Sequence, residues 1–158
     1  MPNPNLDRLR ARLNLPPPAS RHGVLAFGDA RVDACLGGGL ALGALHEVAA
    51  EGIAAETGAI ATGFVACILA HFGEDRPIFW IAPSTDLHAP GLLAYGLDPG
   101  RLVRVRTHDD AETLAAMEAA LRGGAACAVV AEAGRLGRVQ SRRLQLACLG
   151  RGSTGFVL

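Results

Sequence analysis

The 158-residue sequence contains no lysine; all 15 of its basic side chains are arginine. Chemistry that needs an ε-ammonium is therefore excluded, including Schiff bases, the P-loop phosphate anchor and the kinase phosphate anchor. Aromatic residues make up only 4% of the chain, which leaves few rings for stacking nucleobases. There is no excess charge, because 15 acidic side chains balance the arginines, and a uniformly basic nucleic-acid coat is excluded. The four cysteines (Cys35, Cys67, Cys127, Cys148) include no C-x-x-C pair. They read as small buried hydrophobes in a reducing compartment, not as a zinc cage or a disulfide framework. The first residues hold no apolar stretch of the kind a signal peptide needs. The longest apolar run, residues 59–70, is broken by Thr62 and Gly63 and is too short to cross about 30 Å of hydrocarbon. It reads as a core helix. The expectation is a cytoplasmic protein with no membrane partner.

Half of the residues are apolar, enough for one domain with a real core and too many for a disordered chain. Abundant alanine, glycine and arginine without lysine suggest a GC-rich bacterial coding bias. Leu6, Leu9 and Leu13 fall at helical spacing, and Pro16-Pro17-Pro18 stops that helix and extends a spacer. Such an arm, residues 1–18, either folds back onto its own domain or docks on a neighbour. Asp29 is an N-cap candidate for a short helix ended by Gly37-Gly38-Gly39. A strand is expected at 44–48, a small flexible segment at 49–58, a buried helix at 59–71 and a strand at 78–81. A short helix at 90–95, ended by Gly96, precedes a strand at 102–105. Asp109 with Glu112 forms a capping box for a helix whose apolar stripe is Leu114, Met117 and Leu121, with Gly123-Gly124 at its end. Residues 126–131 are wholly apolar, as at the centre of a parallel sheet. A helix at 140–148, a turn at Gly150 and Gly152, and a strand at 154–158 complete the pattern. Strands alternating with helices over some 110 residues predict right-handed crossovers, and hence a three-layer α/β sandwich with a mainly parallel sheet. An apolar strand is an odd place to stop, so the core at 19–158 reads as truncated at its C-terminal end.

Charge is unevenly placed. Residues 21–100 carry a net of −6, residues 101–158 a net of +4 and residues 1–20 a net of +2.

Leu36-Gly37-Gly38-Gly39-Leu40 followed by Gly43-Ala44-Leu45-His46-Glu47-Val48 is similar to the glycine-rich approach to the RecA phosphate loop. Gly96-Leu97-Asp98-Pro99-Gly100-Arg101-Leu102 resembles the lead into the third RecA core strand. Residues 112–125 resemble the helix before its Walker B strand. A closer likeness is to the inducible mutagenesis protein A family, ImuA, a RecA-like group. It rests on Gly43 to Val48, Ala61-Thr62-Gly63-Phe64, His88-Ala89-Pro90-Gly91-Leu92 with Gly96 to Pro99, and Ser141-Arg142-Arg143-Leu144-Gln145-Leu146-Ala147. This resemblance implies a RecA-like fold and an accessory role in damage-induced, error-prone translesion synthesis. It implies two partners: ImuB, an inactive relative of Y-family polymerases, and an error-prone C-family polymerase subunit. RecA itself, or a second copy docked through Leu6, Leu9 and Leu13, is a further expectation.

A working RecA-type site needs a lysine-bearing glycine loop, an acid ending the Walker B strand and a glutamate that positions water. Residues 50–57 occupy the loop position. Ala55 stands for its second glycine, Glu56 for its lysine, and Thr57 follows. A carboxylate 4 Å from a phosphate charge, at an effective dielectric near 20, costs on the order of 4 kcal/mol. The water-positioning glutamate falls near Ser84 or Thr85, neither a base. Glu132 alone persists, at the Walker B position, where without a lysine it is expected to cap or bond nearby backbone. The sequence thus predicts a vestigial site, no cofactor, no metal and no catalytic residue. A divergent ATPase using arginine for phosphate is the rival.

Arg135, Arg138, Arg142 and Arg143 cluster around Gly134 and Gly137, where RecA carries a DNA-contacting loop. They form a solvated face, a partner surface or a DNA surface, the last making the protein a recombination modulator. His22, His46, His71, His88 and His108 show no ligand spacing, and His46 reads as a structural histidine within a strand.

Overall fold

The computed structural model describes residues 21–50, 54–73, 76–84 and 86–158, without the side chains of 54–58. The expected leucine helix and proline arm at 1–18 lie outside the described residues. The chain divides into two compact units, Met1–Gly43 and Ala44–Leu158.

In the first unit, β1 (Val24–Leu25) pairs antiparallel with β2 (Leu40–Ala41). The sequence gives no sign of this pairing, because two-residue strands carry no readable period. Between them lies α1 (Ala30–Cys35), N-capped as expected by Asp29, whose Oδ1 accepts from the Arg31 N–H at 2.8 Å. Asp33 turns both carboxylate oxygens onto backbone, accepting from Phe27 N–H at 2.7 Å and Gly28 N–H at 3.1 Å. Gly39 has to be glycine: its φ is +139° and a Cβ would collide with the Leu25 carbonyl.

The second unit carries one five-stranded sheet. Its strands are β3 (Leu45–Glu47), β4 (Ile78–Ala82), β5 (Leu102–Arg106), β6 (Ala128–Ala131) and β7 (Thr154–Val157), in the spatial order β3-β7-β6-β4-β5. Every pairing is parallel. The wholly apolar β6 sits at the centre, buried at all four positions, as its composition predicts. The chain runs outward from β3 through β4 to β5 and then back through β6 to β7. Right-handed crossovers therefore place the outgoing connections on one face and the returning ones on the other.

The returning helices, α3 (Asp110–Gly123) and α4 (Arg138–Arg151), pack Leu114, Met117, Leu121, Leu144, Ala147 and Cys148 against Ile81, Val129, Ala131 and Val157. By the period-two rule, Trp80, Val130 and Phe156 point to the opposite face. There, just beyond α2 (Ala54–Leu69), Phe72 meets Phe156 edge-on at 6.2 Å. The His46 ring lies 5.5 Å from the same phenyl.

Several expectations need correction. Helix α2 already contains Ala54, within the segment read as flexible; alanine is the best helix former and carries it through Gly58. Nor is α2 buried all round: Val65, Ala66, Ile68 and Leu69 are buried, while Ile60 (64%) and Phe64 (49%) are exposed. The 90–95 helix is a 3₁₀ helix, Ala89–Tyr95, closed by left-handed Gly96, and a second 3₁₀ turn follows at Pro99–Arg101. Helix α4 extends beyond 140–148 at both ends and takes in Gly150; its left-handed cap is Gly152. Only Cys127 and Cys148 are buried, whereas Cys35 and Cys67 are exposed. Among the described residues no helix is long and apolar enough to cross a membrane.

Candidate functional site

Beyond the last residues of β3, β6 and β7 lies a cleft of about 650 Å³. The carboxyl ends of parallel strands are where open α/β sheets take ligands, and the volume suits a small molecule. Its floor includes Val48, Ala133, Val157 and Leu158, and Thr62 of α2 lines one wall. The ionisable side chains among its described lining are Glu47, Asp86 and Glu132, and among the described residues no arginine or histidine lines it. These carboxylates do not converge into a metal-holding set: among the described residues no group of three or more His, Cys, Asp or Glu side chains does so.

Backbone ladders continue past the strands and fix this rim. The Glu132 N–H bonds Ile81 O at 2.9 Å, Ala133 N–H bonds Leu158 O at 3.1 Å, and Val48 N–H bonds Val157 O at 2.8 Å. The Glu132 carboxylate is committed locally. Its Oε1 accepts the indole N–H of Trp80 at 2.7 Å, and Trp80 is 2% exposed. The expected backbone partner is replaced by a side chain on the neighbouring strand. Register explains this: Ile81 of β4 lies opposite Ala131 of β6, so residues 80 and 132 flank that pair on adjacent strands.

Ala55, Glu56 and Thr57 lie in the first turns of α2, but their side chains are outside the described residues, as is Thr85. Ser84 is exposed and its Oγ accepts from Asp86 N–H at 3.1 Å.

The four arginines do not act as one cluster. Arg143 turns to α3, where its Nη2 meets Glu118 at 2.6 Å; Arg122 holds the other Glu118 oxygen at 2.8 Å. Arg138 and Arg142 line a shallow recess of about 340 Å³ with Ser141, Gln145 and Glu47. Arg142 donates to Gln145 Oε1 at 3.3 Å, and Arg135 lies exposed in the loop before α4. Glu47 thus stands between an acidic cleft and an arginine recess. Sequence reasoning missed Glu47, Asp86 and Glu118. Of these, only Glu118 carried a signal, its spacing of four from Arg122.

A scan of the chain against protein-family models finds no match. Protein ImuA of Caulobacter vibrioides, in two strains, is 44% identical over 138 residues, spanning 85% of this chain. Over that stretch the chain is similar to ImuA. It spans 57% of the length of those ImuA relatives. Among solved structures, SulA from Pseudomonas aeruginosa superposes with a TM-score of 0.60 at 24% identity, covering 72% of this chain and 95% of SulA. At that identity the likeness speaks for the fold alone, and the fold this ImuA relative shares with SulA is the helix-flanked sheet described above.

Proposed function

We propose that this ImuA relative is a non-catalytic accessory protein of damage-induced, error-prone DNA synthesis, working through protein contacts. The likeness to ImuA supports the process, since an inducible mutagenesis protein is named for it. The charge of the cleft carries the non-catalytic part. A nucleotide triphosphate seated over these strands would face Glu47, Asp86 and Glu132 with no lysine anywhere in the chain to offset them. A phosphate within about 4 Å of any of these carboxylates is opposed by on the order of 4 kcal/mol. The partners this reading calls for are an ImuB-type inactive polymerase relative and an error-prone C-family polymerase subunit, with RecA or self-association as further contacts.

The rival, a divergent RecA-like ATPase, draws support from the cleft's position at the strand ends. Calorimetry separates the two. Titration with ATP and Mg²⁺ is expected to give no heat beyond dilution, and saturable one-to-one binding would overturn the proposal. In cells lacking their own copy, Glu132→Gln in the full-length protein should restore damage-induced mutation to the wild-type frequency. Loss of mutagenesis with normal protein levels would speak for catalysis.

A further inference from the structure

The outer face of α4 is not the solvated polar face expected of a helix that covers a sheet. Leu144, Ala147 and Cys148 form its buried stripe. On the other side Val139 is 70% exposed and Leu146 is 52% exposed. Seven residues apart, they share one line along the helix, and Gly150 continues it four residues on. A Cβ built on Gly150 would meet nothing within 4 Å, and its backbone is not left-handed. Glycine is the poorest helix former after proline. Neither a turn nor a neighbour among the described residues calls for it here. What it leaves is a notch where a second backbone can approach closely.

The charged side chains of α4 itself are all of one sign. From Ala133 to Leu158 the sequence holds five arginines and no acid. Arg143 is paired with Glu118. Arg135, Arg138 and Arg142 form no ion pair among the described residues. Glu47 is the carboxylate that shares the recess with Arg138 and Arg142.

We infer that the outer face of α4 docks an amphipathic helix of another protein, one whose apolar stripe is bordered by aspartate and glutamate. Val139 and Leu146 meet the apolar stripe, Gly150 lets the two axes close up, and the guanidinium forks take the carboxylates. A second copy pairing through this same face does not fit, since two such faces would set arginine against arginine. Nucleic acid would answer the arginines but gives no part to Leu146 or Gly150. The inference deepens the scaffold reading by naming the chemistry of one partner. Its failure is separable: nucleotide in the cleft would overturn that reading and leave this surface as it stands.

The test is photo-crosslinking of the full-length protein in its own damaged cells, with benzoylphenylalanine at Val139 and, as control, at exposed Ala119 on α3. The expected result is a protein adduct about tenfold or more above the control. Its attached peptide should carry acids beside apolar residues three and four apart. Leu146→Glu, and separately Arg138→Glu with Arg142→Glu, should abolish it while melting temperature and circular dichroism stay unchanged. If Leu146→Glu loosens the fold, the arginine pair, exposed and in no ion pair among the described residues, decides alone. Adducts only with DNA, only with a second copy, with a peptide lacking that pattern or at control level would overturn the inference. So would an adduct that survives reversal of both arginines.

Discussion

The indole of Trp80 and the carboxylate of Glu132 form the best-defined polar pair at the cleft, and each explains the other. Trp80 is buried and must place its N–H; Glu132 lies within 2.7 Å of it. Glu132→Ala leaves that N–H unanswered and should cost about 1–3 kcal/mol by urea unfolding. Glu132→Gln keeps a carbonyl acceptor and should cost less than about 1 kcal/mol. Thiol reactivity offers a second check. Burial pushes the Cys148 thiol up to about 11, whereas Cys35 and Cys67 are exposed. Alkylation of the native protein at pH 8 should therefore mark Cys35 and Cys67, with Cys148 modified only after unfolding, as peptide mapping would show. At Glu112 the His108 side chain, then the His108 backbone N–H, holds the carboxyl below its ordinary 4.5. A depressed folded value means the stabilisation is complete above about pH 4.5 and is lost as pH falls through the folded value. Amide protection factors in the first turn of α3, corrected for the intrinsic exchange rate at each pH, should fall over that range, and Glu112→Gln should reduce the dependence.

Among the elements, α3 was the most legible, because its signals are local. Asp109 caps it by accepting from Glu112 N–H at 2.8 Å, and Leu114, Met117 and Leu121 are buried as their spacing requires. One detail differs from the usual capping box. Glu112 reaches back to the N–H of His108, one residue before the cap. Asp109→Ala should destabilise the protein by about 1 kcal/mol in thermal or urea melts. Strand β7 is also visible in the sequence as an apolar run, but its tolerance is set by neighbours distant in sequence. A Cβ on Gly155 would come within 2.9 Å of Met117 Cε and 3.0 Å of Leu45 Cδ1. Gly155→Val should cost about 1–3 kcal/mol through overpacking, measured by urea midpoint. Helix α2 departs from expectation at its start and in its exposure, since an all-apolar run has no period to say which side faces out.

Over the whole molecule, the uneven charge seen along the chain becomes a spatial arrangement. Carboxylates line the cleft and arginines line the recess of α4, with Glu47 on both. A ligand bound only to the folded state raises the melting temperature by mass action. Millimolar ATP with Mg²⁺ should therefore leave the melting temperature unchanged, and a rise of several degrees would contradict the non-catalytic reading.

The sequence by itself determined the α/β class, the central place of β6, the caps of α1 and α3, the lack of any lysine and the ImuA resemblance. Each rests on residue type and on spacing within one element. Only the tertiary structure decided that Trp80 answers Glu132, that Arg143 belongs to Glu118 while Arg138 and Arg142 do not, and that Val139 and Leu146 face outward. Those outcomes depend on strand order and on which face a crossover covers. Both join residues far apart along the chain, and no local periodicity records them.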